Sequence, residues 1–94
     1  MINDNKTWVP SGELTTETAL ATLAKGQQQI DHATQECVID LAQIHTVDSA
    51  GVAVLLAWQR FATRQQKQLH LENLPAKLIG MIKLSNLQAV LKFT

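Results

Sequence analysis

The sequence predicts an α/β domain, a small and mostly parallel β-sheet packed with about three to four helices. Three stretches carry that prediction. Cys37-Val38-Ile39-Asp40-Leu41 is a nearly continuous apolar run, as expected of a central parallel strand covered on both faces. Gln68-Leu69-His70-Leu71-Glu72-Asn73 alternates polar and apolar with period two, the pattern of a strand with one wet face near the sheet edge. Between them, Val54, Leu55, Trp58, Phe61 and Ala62 recur at the spacing of a helix with one buried face. Strand–helix–strand units imply parallel pairs joined by right-handed crossovers.

Taken from the start, residues 1–6 are polar and read as a loose tail before a single domain that spans the rest of the 94 residues. Trp8-Val9 begins a strand, which Pro10 confines to an edge or a kink. Ser11-Gly12-Glu13-Leu14 continues the extended segment, and Thr15-Thr16 offers a helix N-cap. The first helix is expected over about Glu17 to Ile30, burying Leu20, Leu23, Ala24 and Ile30. Gly26 within it costs about 1 kcal/mol relative to Ala. After the Cys37–Leu41 strand, Ala42 to Val47 reads as a short loop. The central helix starts at Ser49 or Ala50 and runs to about Gln65, with Arg60 and Arg64 near its end complementing the dipole. Leu74-Pro75 ends the alternating strand. Ala76 to Leu84 places Leu78, Ile79, Met81 and Ile82 at helical spacing, Ser85-Asn86 breaks it, and Leu87 to Leu91 forms a short apolar turn.

Composition narrows the function. Eight basic and eight acidic residues cancel, so the chain lacks the positive stripe that drives nucleic-acid binding. No apolar run approaches the roughly 20 residues that span a bilayer, so direct membrane insertion is not expected. Met1 to Lys6 has no apolar core of a secretory signal, and the expectation is a cytoplasmic protein. The single Cys37 reads as a small buried hydrophobe in a reducing compartment. His32, His45 and His70 lie on separate segments and share no metal-ligand spacing with Cys37. Val47 occupies the place of the first Gly of a Gly-x-Ser-x-Gly elbow, and no phosphate-binding loop with Lys is present. The residues thus point to a non-enzymatic chain without cofactor or metal.

What remains is Val47-Asp48-Ser49-Ala50-Gly51-Val52, a polar pair at the switch from an extended segment into the most hydrophobic run. In parallel α/β sheets, sites collect at the carboxyl ends of strands, where Leu14-Thr15 and Val47-Asp48-Ser49 both fall. Ser49 has two compatible readings: an N-cap of the central helix, and a phosphorylation or partner-contact site. Val52 and Leu56 lie off the buried stripe, so either at least one of them is exposed beside Ser49 or a second helix covers them.

Ser-Gly-Glu-Leu at 11–14, Val-Ile-Asp-Leu at 38–41 and Val-Asp-Ser-Ala-Gly-Val at 47–52 together resemble the STAS domain, the family of anti-sigma factor antagonists, over about residues 8–94. The resemblance implies a phosphorylatable hydroxyl at Ser49 beside Asp48, and places the Asp that closes the preceding strand at Asp40. Thr15 stands where the family usually has Asp. The short chain, Ala50 in place of a second Ser, and the Lys83-Leu84-Ser85-Asn86-Leu87 tail resemble the branch that serves phospholipid-transporting ABC complexes. That branch implies binding to the ABC-transporter ATPase subunit in maintaining outer-membrane lipid asymmetry; the alternative is a phospho-switched anti-sigma factor antagonist. The expected contact residues are Thr15, Asp40, Asp48, Ser49, Ala50, Gly51, Val52 and Leu56. The start of the chain is short for the family's opening strand, so the sheet either lacks an edge strand or takes one from the tail.

Overall fold

The computed structural model describes residues 7–91 and 93, and the expected tail at residues 1–6 lies outside them. In chain order the elements are β1 (Thr7–Trp8), β2 (Ser11–Leu14), α1 (Ala19–His32), β3 (Glu36–Asp40), β4 (Gln43–Val47), α2 (Ser49–Arg64), β5 (Gln68–Glu72) and α3 (Ala76–Leu84). The predicted α/β class with parallel pairing is what the chain adopts. Strands β1, β3 and β5 form one sheet in that order, and β2 pairs with β4 in a second. All three pairings of strands are parallel.

The Cys37 strand lies in the middle of its sheet, as expected, but it is covered on one face and not on both. Cys37, Ile39 and Leu41 point to the same side and are buried, whereas on the other side Glu36 is exposed and Val38 and Asp40 are half-buried. Burial pushes the Cys37 thiol pKa up, against a weaker opposing pull from the Lys67 charge. The alternating strand is the outer partner, with Leu69 and Leu71 inward and Gln68 and His70 outward. On the other side Thr7–Trp8 pairs with Val38–Ile39, so an edge strand is present and comes from the residues just after the tail.

Three further expectations are corrected. The segment Ala42 to Val47 is a strand from Gln43 onward, not a loop, so the element order gains one strand here, and a second because the first extended segment is divided at Val9-Pro10 into β1 and β2. Its register with β2 shifts between Gly12 and Glu13: Gly12 faces Ile44, and Glu13 faces Thr46. His45 is the unmatched residue of a β-bulge, so the inward positions Ile44 and Val47 are three apart and the period-two signal vanishes. Gly12 takes φ +97° beside the bulge, a backbone region open to glycine and costly for other residues.

The first helix starts two residues later than expected and is rotated. Leu23 packs against the core and Ile30 is buried, but Leu20 is 82% exposed and Ala24 faces solvent. The buried stripe instead includes Gly26 and the following Ala33. Gly26 decides this, because it is where the Trp58 ring of α2 lies against the helix. A Cβ built there would land inside the indole, against Cε2 and Nε1. Trp58 Nε1–H also donates to the Leu23 carbonyl at 3.1 Å. The glycine is the contact point between the two helices, and its propensity cost is offset by packing that a side chain would exclude.

Finally, Thr15-Thr16 does not cap α1. Thr18 occupies the cap position without bonding the helix; its hydroxyl donates to the Glu13 carbonyl at 2.9 Å and accepts the Thr15 N–H at 3.0 Å. Helices α1 and α2 run side by side in the same direction. Their starts are joined through Thr16 and Asp48, and at their ends the Lys67 ammonium donates to the Ile30 and Asp31 carbonyls at 2.9 and 2.7 Å. Among the described residues, no helix is long and apolar enough to cross a membrane.

Candidate functional site

Strands β2 and β4 end together, with Leu14 opposite Val47, and the Asp48 N–H donates to the Leu14 carbonyl at 3.3 Å. This pairing brings two distant pieces of sequence to one place, the start of α2. Asp48 is the residue that caps that helix. Its Oδ1 accepts the Ala50 N–H at 2.8 Å, and Oδ2 accepts the Thr16 N–H at 3.0 Å and the Thr16 hydroxyl at 3.2 Å. One carboxylate therefore satisfies a free donor of the helix and holds the loop between β2 and α1 against it.

The expectation that Ser49 is the cap is thereby corrected. Asp48 has extended backbone (φ −138°, ψ −170°) and Ser49 is already the first helical residue. An extended residue whose side chain reaches two positions ahead caps best. The carboxylate at 48 does that, and it leaves the Ser49 hydroxyl exposed and free of any internal hydrogen bond among the described residues.

Backbone donation from Thr16 is the main force holding the Asp48 carboxyl below the ordinary carboxylate range. Desolvation opposes it, and the Ala50 N–H, the Thr16 hydroxyl and the Lys77 charge act in the same direction as Thr16. A carboxyl with a depressed folded pKa adds stability that is present above its unfolded value, about 3.9, and is lost as pH falls through the folded value. Asp48→Ala should thus be less stable than wild type in urea at pH 7, and the difference should shrink as pH falls below the unfolded value of about 3.9. Asp48→Asn keeps the cap, so it should lie between the two at pH 7 and lack the acid-dependent part. Equal stability gaps at pH 7 and pH 2 would contradict the charged cap.

Beyond the cap, the side chains become apolar. Gly51 is buried where a Cβ would stand 3.2 Å from the Leu78 side chain and 3.4 Å from Leu14, so α3 approaches α2 closely there. Val52 is buried and Leu56 half-buried, so the two readings divide: Val52 is covered, while Leu56 keeps part of its surface open toward Ser49. What stays open is a cleft of about 380 Å³, lined by Ser49, Val52, Ala53 and Leu56 on α2, with Met81, Leu84 and Ser85 across from them. Leu84, 87% exposed, forms its lip.

The structure thus gathers Asp48, Ser49, Ala50, Gly51, Val52 and Leu56 at one end of α2, with Thr15 close by through Thr16. Thr15 is half-buried and its hydroxyl oxygen is enclosed without a hydrogen-bond partner. Asp40 is engaged elsewhere. Its Oδ1 accepts the Ala42 N–H at 2.9 Å and the Asn73 side-chain amide at 3.0 Å, which ties the β3–β4 turn to the end of β5. Sequence reasoning missed Thr16 as the second partner of Asp48, and Met81 as part of the cleft. The Thr pair after β2 carries the local pattern of a helix cap, and only the β2–β4 pairing sets Thr16 against Asp48.

The histidines act locally: His70 lies 3.3 Å from Glu36 across β5 and β3, and His45 Nδ1 lies 2.9 Å from the Thr46 hydroxyl. No group of three His, Cys, Asp or Glu placed to hold a metal occurs among the described residues.

Known proteins share this fold. An anti-sigma factor antagonist assignment from Thermotoga maritima has a structure similar to this chain with a TM-score of 0.78 at 18% identity, covering 99% of this chain and 81% of its own. A sulfate transporter family protein from Wolinella succinogenes matches with a TM-score of 0.69 at 13% identity, over 94% of this chain and 75% of its own. The anti-sigma factor antagonist SpoIIAA in its unphosphorylated form matches with 0.64 at 20% identity, over 89% and 79%. At such identities the likeness is one of fold. No curated protein is significantly similar in sequence. The family described as "Mlab, STAS domain" matches residues 10–92, nearly the whole chain. The chain belongs to this STAS-domain family.

Proposed function

We propose that the chain is a non-enzymatic STAS subunit of a phospholipid-transporting ABC complex, that it binds the ATPase subunit at the start of α2, and that binding stabilises and activates that subunit. It would act at the inner face of the inner membrane, held there by its partner, in maintaining outer-membrane lipid asymmetry. The observation that carries this reading is the match of residues 10–92 to the Mlab STAS family. The geometry at the start of α2 suits it. An exposed Ser49 beside an apolar cleft offers a small polar centre with a hydrophobic surround, the make-up of a compact protein–protein contact.

A second reading, a phospho-switched anti-sigma factor antagonist, is favoured by the likeness in fold to SpoIIAA and the Thermotoga protein. It would use the same Ser49 as phosphate acceptor. Against it stands Thr15, which occupies the place where the family usually has Asp and so removes an acidic group near the site.

The experiment is co-purification with the ATPase subunit, beside a thermal melt of each variant. Ser49→Ala keeps the Asp48 cap and should melt within a few degrees of wild type and bind nearly as well. Ser49→Arg adds bulk and positive charge at the positive end of the helix dipole and should abolish binding while the domain still folds. Folded Ser49→Arg protein that binds at wild-type affinity would place the partner surface elsewhere. Stoichiometric phosphate on Ser49 after incubation with an anti-sigma kinase, with no retention of an ATPase subunit, would favour the second reading.

A further inference from the structure

The other end of α2 carries a feature that the start of the helix does not explain. Arg60 and Arg64 are one turn apart on its exposed face, where like charges repel. Among the described residues the one ion pair joins His70 to Glu36, so no described carboxylate lies within 4 Å of either guanidinium. The helix dipole accounts for a cation in the last turn, at Arg64, but favours Arg60 much less, since its effect fades within a turn. Lys67, the third cation of this end, is already committed to the Ile30 and Asp31 carbonyls.

The two guanidiniums border a cleft of about 490 Å³, lined by Gln59, Arg60, Thr63, Arg64 and Val90. Val90, in the turn after α3, is 50% exposed, an apolar surface beside the charges. Planar guanidinium forks bind carboxylates through two parallel hydrogen bonds, and their carbon stems cover apolar neighbours. The cleft therefore combines two carboxylate receptors one helical turn apart, two further hydrogen-bonding side chains and one apolar contact.

We infer that this end of α2 is a second docking surface, and that its occupant is an acidic helical segment of a protein partner, with two carboxylates one turn apart and an apolar residue between them. Charge complementarity favours that occupant over a membrane. Stable attraction to anionic lipid takes a cluster of about four to eight basic side chains, and this face offers two free ones. It is distinct from the Ser49 end: Arg60 and Arg64 lie 11 and 15 residues beyond Ser49 along the helix, about 16 and 22 Å. Binding here would not compete with binding there.

The test is a titration of isotopically labelled full-length chain followed by amide NMR shifts. The probe is a 14-residue helical peptide of alanine and leucine with two glutamates one turn apart. Shifts are expected at Gln59–Arg64 and Val90, and should weaken at least tenfold when NaCl is raised from about 50 to 500 mM. The same peptide with glutamine for glutamate should produce no shift. Arg60→Glu/Arg64→Glu should remove binding, and Arg60→Gln/Arg64→Gln should weaken it at least tenfold, both with unchanged melting because the sites are exposed. Ser49→Arg should leave it intact. Absence of peptide binding, or binding unaffected by either double substitution, overturns the proposal. So do equal shifts at these residues from phosphatidylglycerol vesicles or from inorganic phosphate, which would mark a generic anion surface.

Discussion

Trp58→Ala is expected to cost about 3–5 kcal/mol, a large share of the roughly 5–14 kcal/mol that a chain of this length has to lose. Trp58 is fully buried, meets Trp8 edge-on with ring centroids 5.8 Å apart at 73°, and bonds the Leu23 carbonyl. It therefore joins three elements: α1 through Gly26 and Leu23, α2 on which it sits, and the edge strand β1 through Trp8. Alanine leaves a void that these neighbours cannot fill without moving the α1–α2 contact. For a chain of this size each kcal/mol is worth about 4–8 °C, so the melting midpoint should fall by at least about 12 °C. Far-UV circular dichroism is the readout, with the remaining Trp8 fluorescence as a second probe. A variant that melts within a few degrees of wild type would show that the helices do not meet through this ring.

Gly26→Ala makes the complementary test, because two effects of opposite sign compete. In an exposed helix interior, alanine for glycine stabilises by about 1 kcal/mol. Here the new methyl falls on Cε2, Nε1 and Cζ2 of the Trp58 indole, and overpacking of a tight core costs about 1–3 kcal/mol, more when a hydrogen bond is also lost. The clash should win, leaving Gly26→Ala less stable by about 2 kcal/mol in urea unfolding. Phenylalanine at 58 lacks Nε1 and the second ring. In a Trp58→Phe background the same alanine should therefore stabilise. Such a reversal is a coupling between touching residues, which independent sites would not show. Additive effects in the cycle would rule out the close approach.

The two substitutions also mark the boundary of what could be read from the chain. Local patterns reach far where one rule acts alone. The apolar run at Cys37–Leu41 was legible as the middle strand, although only its Cys37, Ile39 and Leu41 face is buried, and the alternation at Gln68–Glu72 puts that strand at the border. The helix at α2 was legible, with its face at Val54, Leu55, Trp58 and Ala62, and so was α3 with Leu78 and Ile82. Strand β4 was not, since a bulge at His45 destroys its period. The face of α1 was not either: periodicity weighs Leu20 as apolar and Gly26 as a defect, whereas packing needs the absent side chain and leaves the leucine outside.

At the candidate site the division is similar. The polar pair at the entry to the most hydrophobic helix located the place, because free N–H groups at a helix start call for a short polar side chain. Which member of the pair serves was beyond the pattern, since Asp and Ser cap about equally well. The tertiary structure chose Asp48 by setting Thr16, 32 residues earlier, within reach of its second oxygen. So the sequence by itself determined the class of fold, the parallel pairing of its strong strands, the family, and the end of the molecule where the candidate site gathers. All of these follow from interactions between residues close along the chain or from motif content. The tertiary structure alone decided the β2–β4 pairing, the rotation of α1, the exposure of Ser49 and the α3 cover over Val52. Each of those depends on contacts between segments far apart in sequence, and no local periodicity encodes them.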